Sequence, residues 1–116
     1  MKVRLFEDTV RVRLSQREVM DLAAGQVLRS VTHFGVGQLE VEIRPAAEGL
    51  DASFEDGKIF IGVNTQRATE WSLDDSEGLY AISGPCKVAL EKDYACLHKT
   101  GDANEGTFPN PISLSK

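Results

Sequence analysis

The sequence contains few cysteine, tryptophan and histidine residues and no long apolar run, and the shortage of cysteine and of long apolar runs each excludes a class of protein. Among 116 residues there are two cysteines, one tryptophan and two histidines. Two cysteines are too few for the disulfide framework of a small secreted domain, so we expect both to be thiols in a reducing compartment. No apolar run approaches the roughly 18 residues of a membrane span, and residues 1–10 lack a signal-peptide core. We therefore expect a cytoplasmic protein with no membrane partner.

Size and charge narrow the class further. The chain is 41% hydrophobic and 27% charged, with a formal net charge of -5. A chain of this length can bury one core but not two, which predicts one domain over residues 1–98. Residues 99–116 form a tail that is rich in polar and turn-forming residues and can bury little surface, so we expect it to be frayed or laid on the surface. The negative charge argues against nucleic acid as a partner. No internal repeat is visible beyond the regular spacing of the hairpins.

The segment from Val10 to Gly25 has the clearest local pattern. Apolar and basic residues alternate up to Leu14, as in a half-buried strand. Ser15 and Glu18 then form an S-x-x-E capping box, which satisfies two backbone N–H groups at the start of a helix. Gly25 favours the left-handed conformation that ends one. A strand that leads directly into a short helix is predicted.

Hairpins account for most of the remaining chain. A two-residue loop at Glu7 and Asp8 pairs Leu5 with Val10 and places the apolar residues of both strands on one face. Similar register arguments predict hairpins around Asp56-Gly57 and Gly84-Pro85. The expected fold is α+β: a mostly antiparallel sheet of about eight strands in hairpins, with one short helix after strand 2.

The first hairpin carries an unusual concentration of positive charge. Its register places Arg4 opposite Arg11 and Lys2 opposite Arg13, and like charges in such pairs repel one another. One interpretation is an anion-binding site formed by these four residues together with Arg44. The alternative is a solvated sheet face on which the glutamates of a neighbouring strand neutralise the four cations.

One pair of residues is a candidate for binding a metal ion. Cys96 and His98 would project from the same face of an extended strand, which is half of a zinc site. Buried thiols and a surface imidazole are the alternative, and we expect no cofactor.

Three segments together resemble a small bacterial family of proteins with a domain of unknown function. They are R-V-R-L-S-Q-R-E-V (Arg11 to Val19), E-K-D-Y-A-C-L-H (Glu91 to His98) and F-P-N-P (Phe108 to Pro111). The resemblance covers essentially the whole chain, and it implies no activity or catalytic residue.

A second resemblance is confined to one strand. Glu40-Val41-Glu42-Ile43-Arg44 is similar to the E-x-E-x-K strand of the triphosphate tunnel metalloenzymes, with arginine in the place of lysine. It implies that Glu40 and Glu42 bind a divalent metal while basic residues hold phosphates inside a barrel.

Taken together, the sequence favours a binding or interaction module, and it leaves enzymatic activity open. The alternative is a phosphate- or triphosphate-binding protein, possibly a metal-dependent hydrolase with a charged barrel interior. An open sheet also leaves strand edges unpaired, so a homo-oligomer formed through these edges is a further expectation.

Overall fold

Eight strands and two helices form two four-stranded sheets. The computed structural model describes residues 1–94 and residue 108. In chain order the elements are β1 (Lys2–Phe6), β2 (Thr9–Leu14), α1 (Gln16–Ala23), β3 (Leu28–His33), β4 (Gln38–Ala46), β5 (Leu50–Glu55), β6 (Lys58–Asn64), α2 (Thr65–Leu73), β7 (Gly78–Ser83) and β8 (Cys86–Lys92).

Each sheet consists of two hairpins joined by a parallel pair of strands. The first sheet has the order β1-β2-β8-β7, and the second has the order β3-β4-β6-β5. The central pairs, β2 with β8 and β4 with β6, are parallel. The α+β class is confirmed, whereas the prediction of a mostly antiparallel sheet is wrong because both sheets are mixed. The hairpin registers follow from local turn chemistry, whereas no turn joins the strands of either parallel pair. β2 and β8 lie near opposite ends of the described chain, and β5 separates β4 from β6.

Both helices begin at a side-chain cap. Ser15 accepts a hydrogen bond from the Glu18 N–H, and the Glu18 carboxylate accepts one from the Ser15 N–H, so the predicted capping box is present. Asn64 caps α2 by accepting from the Arg67 N–H. The prediction of one helix is therefore wrong in number, since α2 is a second, nine-residue helix after β6.

The chain contains an internal repeat that its sequence conceals. The first half of the repeat runs from β1 to β4 and the second from β5 to β8, and each half consists of a hairpin, a helix and a second hairpin. Each sheet contains one hairpin from each half. Equivalent positions lie 49 residues apart: the positive-φ residues 7 and 56, the helix caps 15 and 64, and the buried helix residues 22 and 71. The two sheets are thus built in the same way from different side chains.

The core lies on the inner faces of the sheets and beneath the helices. One residue from each of the four central strands is completely buried: Val12, Ile43, Ile61 and Leu90. Trp71 is also 0% exposed. The Trp71 ring nitrogen donates to the Ser76 carbonyl oxygen at 3.2 Å.

The described core cluster is apolar, but Lys92 points the same way along β8 as Val88 and Leu90. Its side chain is 5% exposed, and its Nζ donates to the Asp74 carbonyl oxygen at 2.7 Å. Because Lys2, Arg4, Arg11, Arg13, Glu40 and Glu42 lie on the outer faces, the described residues do not form the charged interior that the resemblance to the tunnel enzymes implies.

The predicted boundary at residue 98 lies outside the described residues. Phe108 packs against the core, and its N–H donates to the Asp93 carbonyl oxygen at 2.6 Å. Its ring meets that of Tyr94 edge-on, with 5.9 Å between the centroids. The helices have eight and nine residues, and no described helix is long and apolar enough to cross a membrane.

Candidate functional site: a basic face on the first sheet

The outer face of the first sheet consists of three rows of side chains. Because side chains alternate along a strand, the residues between the buried valines and leucines of β2 and β8 point outward. Strand pairing then fixes the rows as Phe6-Thr9-Lys87-Ile82, Arg4-Arg11-Ala89-Tyr80 and Lys2-Arg13-Glu91-Gly78. We call this surface the basic face, after its five cations Lys2, Arg4, Arg11, Arg13 and Lys87.

Four of the predicted anion-binding residues meet at one depression on the basic face. Lys2, Arg4, Arg11 and Arg13 line a hollow of about 150 Å³, together with Val3. The predicted register is confirmed, since Arg4 pairs with Arg11 and Lys2 pairs with Arg13. We call this hollow the basic pocket. The sequence therefore correctly predicted that these four residues lie close together.

A buried carboxylate from β8 partly neutralises the basic face. The side chain of Glu91 is 7% exposed, and its Oε1 lies 3.3 Å from Arg11 Nε and 3.9 Å from Arg13 Nε. Neither Arg11 Nε nor Glu91 Oε1 has a hydrogen-bond partner among the described residues. Lys2 forms a separate ion pair of 2.7 Å with Asp93. The carboxylates that face the predicted cations are therefore Glu91 and Asp93.

Two of the five cations have no carboxylate partner. Arg4 and Lys87 are exposed, and neither forms an ion pair with any described residue. Arg4 lies at the edge of the basic pocket and Lys87 lies one row away. These two side chains are available to an external anion.

Tyr80 is fixed beside Glu91 by a hydrogen bond and by a glycine. Its hydroxyl donates to Glu91 Oε2 at 2.8 Å. A Cβ atom at Gly78 would collide with the Leu90 backbone carbonyl and would lie 3.0 Å from the Tyr80 Oη. Partial shielding of the hydroxyl from water, together with its hydrogen bond to the Glu91 carboxylate, raises the pKa of Tyr80 to about 12. The hydroxyl therefore stays protonated to a higher pH than a free phenol, and its hydrogen bond orients the ring.

A second, larger depression adjoins the basic pocket. Its volume is about 460 Å³. The small residues Thr9 and Ala89 lie at its centre, and the surrounding side chains include Phe6, Arg11, Tyr80 and Lys87. We call it the aromatic pocket. Arg11 lines both pockets.

The other predicted site residues lie on the second sheet. Glu40 pairs with Lys58 at 3.2 Å, and Glu42 pairs with Arg29 at 2.9 Å. Arg44 lies 3.5 Å from Glu42 and stacks on the Phe60 ring at 4.4 Å. The interpretation in which Glu40 and Glu42 neutralise the cations of the first hairpin is therefore wrong. Arg44 also lies on the second sheet, so the structure does not bring it together with Lys2, Arg4, Arg11 and Arg13. The sequence did not reveal that β2 pairs with β8 instead of β4.

The equivalent outer face of the second sheet has the opposite charge balance. It carries three cations, Arg29, Arg44 and Lys58, and four carboxylates, Glu40, Glu42, Asp51 and Glu55. The basic face carries five cations and two carboxylates, Glu91 and Asp93. Because the two sheets have the same construction, the fold alone does not require an excess of positive charge.

The candidate zinc ligands Cys96 and His98 lie outside the described residues. Within the described part of the chain, no group of three or more histidine, cysteine, aspartate or glutamate side chains is arranged to hold a metal ion. Glu40 and Glu42 are instead engaged with cations on their own sheet.

Sequence reasoning missed several members of the basic face. Lys87, Ala89 and Glu91 alternate with the buried Val88 and Leu90, so their common face could have been read from the sequence. Which strand they lie beside could not. Nothing local to β8 indicates a parallel partner near the other end of the chain.

These features define a small α+β domain with a strongly polarised sheet surface. Residues 1–112 match a family of unknown function, DUF7009, and the chain belongs to that family. No curated protein and no solved structure matches the chain.

Proposed function

We propose that this protein is a binding module that takes up a phosphate-like anion in the basic pocket. The observation that carries the proposal is the convergence of Lys2, Arg4, Arg11 and Arg13 on one hollow of about 150 Å³. A multiply charged oxyanion would lie between the guanidinium groups and offset their mutual repulsion. It would accept two parallel hydrogen bonds from one guanidinium, which is the geometry that arginine favours.

The charge distribution supports the same site. Glu91 and Asp93 offset part of the positive charge, yet Arg4 has no ion pair among the described residues. The whole chain carries a net charge of -5, so this local excess of cations is the opposite of the average. A local positive field attracts anions even to an acidic protein, although the effect weakens as salt increases.

Thermal and chemical unfolding in the presence of inorganic triphosphate tests the proposal. At a hundredfold excess over its Kd, triphosphate should raise the free energy of unfolding by about 2.7 kcal/mol. Sodium chloride at equal ionic strength should give a smaller increase. Arg4→Gln should weaken triphosphate binding by roughly tenfold, because it removes one charge-assisted contact.

Arg67→Gln is the matched control. Arg67 is exposed on α2 and, like Arg4, forms no ion pair among the described residues. Each variant removes one positive charge, so the effect on net charge is identical. If both variants bound triphosphate equally well, or if chloride stabilised the protein as much as triphosphate, the basic pocket would not be the binding site.

The proposal concerns binding and assigns no catalysed reaction. We further propose a cytoplasmic location, which the free thiol of Cys86 supports. Self-association through strand edges remains a prediction, supported by β1 and β3, which lie at the ends of their sheets.

A further inference from the structure

The basic pocket and the aromatic pocket lie next to each other on one sheet face. Arg4 and Arg11 occupy the same row as Ala89 and Tyr80. At about 4.8 Å between neighbouring strands, the backbones of Arg11 and Tyr80 are roughly 10 Å apart. Arg11 lines both pockets, so the two hollows share one wall.

The larger pocket has the lining of a site for a flat, apolar group. Its centre is low because Thr9 and Ala89 are small, and aromatic rings stand at two of its sides. Phe6 is 55% exposed and Tyr80 is 54% exposed, although both are large hydrophobic residues. Exposed aromatic side chains around a hollow of this size are typical of small-molecule sites, in which rings stack on the ligand.

The position of Tyr80 is set before any ligand arrives. Its hydroxyl is held by Glu91 at 2.8 Å, and the missing side chain of Gly78 leaves room for that contact. A ring that is already fixed loses little conformational entropy when a ligand stacks on it. Glu91 in turn lies against Arg11 and Arg13, so the same carboxylate positions groups in both pockets.

We propose that the ligand is a planar aromatic molecule bearing a phosphate or similar anionic group, with its anion in the basic pocket and its ring in the aromatic pocket. This inference rests on the proposed function and adds the chemical class of the ligand. Lys87 lines the aromatic pocket and has no ion pair among the described residues. It and Arg11 are the two cations that line the pocket proposed for the ring.

A small molecule fits these features better than a polymer. The two pockets provide one cluster of cations and one aromatic hollow, which match one anionic group and one ring. A single-stranded nucleic acid would need aromatic platforms repeated along a basic track. The equivalent face of the second sheet, with more carboxylates than cations, does not continue such a track.

Isothermal titration calorimetry with inorganic phosphate and phenyl phosphate tests the inference on the whole chain. Phenyl phosphate should bind about tenfold more tightly, because its ring gains a stacking contact that inorganic phosphate lacks. Phe6→Leu should remove most of that advantage and leave the Kd of inorganic phosphate unchanged. Phe60→Leu, at the outer face of the second sheet, is the matched aromatic control and should change neither Kd.

The outcomes separate this inference from the function on which it rests. If both phosphates bound the wild type equally and Arg4→Gln weakened both, the basic pocket would stand and the aromatic ligand would be excluded. If neither bound, both proposals would fail. If a short thymidine oligonucleotide bound more tightly than phenyl phosphate and lost this affinity in Phe6→Leu, single-stranded nucleic acid would replace the small molecule and overturn the inference.

Discussion

At the scale of single residues, Glu91 organises the basic face. It is a carboxylate with 7% side-chain exposure, set among two arginines and a tyrosine. A buried charge is tolerated only when it is paired and accepts hydrogen bonds. Glu91 meets this condition because Arg11 Nε lies 3.3 Å from its Oε1 and because its Oε2 accepts a hydrogen bond from the Tyr80 hydroxyl. It thereby positions Arg11, which lines both pockets, and Tyr80, which lines the aromatic pocket.

Tyr80 should make stability depend on pH in the alkaline range. Partial shielding of its hydroxyl from water and the hydrogen bond to Glu91 raise its pKa from 10.0 to about 12, so the folded state favours the protonated phenol. This contribution to stability is fully present below the unfolded pKa and is lost as the pH rises from 10 to about 12. Tyr80→Phe should therefore show a smaller loss of stability than the wild type across this window.

The measurement is urea unfolding of both proteins at several pH values on either side of the window. Other alkaline titrations, including that of Tyr94, whose pKa burial also raises, occur in both proteins and cancel in the comparison. Parallel stability curves for the wild type and Tyr80→Phe would show that the Tyr80 hydroxyl is not coupled to folding.

At the scale of helices and strands, local chemistry explains what could be predicted. The third hairpin pairs Phe54 with Ile59 and Ala52 with Ile61, as the Asp56-Gly57 turn indicated, and both turn residues have positive φ. The α1 cap and the positive φ of Gly25 also follow from local sequence. The parallel pairs could not be derived in this way, because their strands are joined through long connections and not by a turn.

The orientation of β2 and β6 can be checked by substitution. Val12 and Ile61 each have 0% exposure, so Val12→Asp and Ile61→Asp should unfold the domain by placing an unpaired charge in the core. Arg13 points outward with half of its side chain exposed, and Arg13→Gln should change stability by no more than about 0.5 kcal/mol. Circular dichroism melts of the three variants test this, and equal melting temperatures would contradict the strand assignment.

At the scale of the whole molecule, one repeated design has two different outer surfaces. Each sheet takes one hairpin from each of the two hairpin-helix-hairpin halves. In both sheets, apolar residues alternate along the central strands and face the core. The cations of the first hairpin could be predicted as a cluster because one turn fixes their register. Their neutralising partners, Glu91 and Asp93, could not, since these residues arrive through the parallel pairing of β2 with β8.

The most direct test of the binding face is a nuclear magnetic resonance titration of the isotope-labelled protein with phenyl phosphate. We predict saturable chemical-shift changes in the first sheet, centred on Arg4, Arg11 and Tyr80, with little change at the equivalent positions Ser53, Phe60 and Val31 of the second sheet. Shifts of equal size on both sheets, or shifts confined to the second sheet, would contradict the assignment of the basic face as the binding surface.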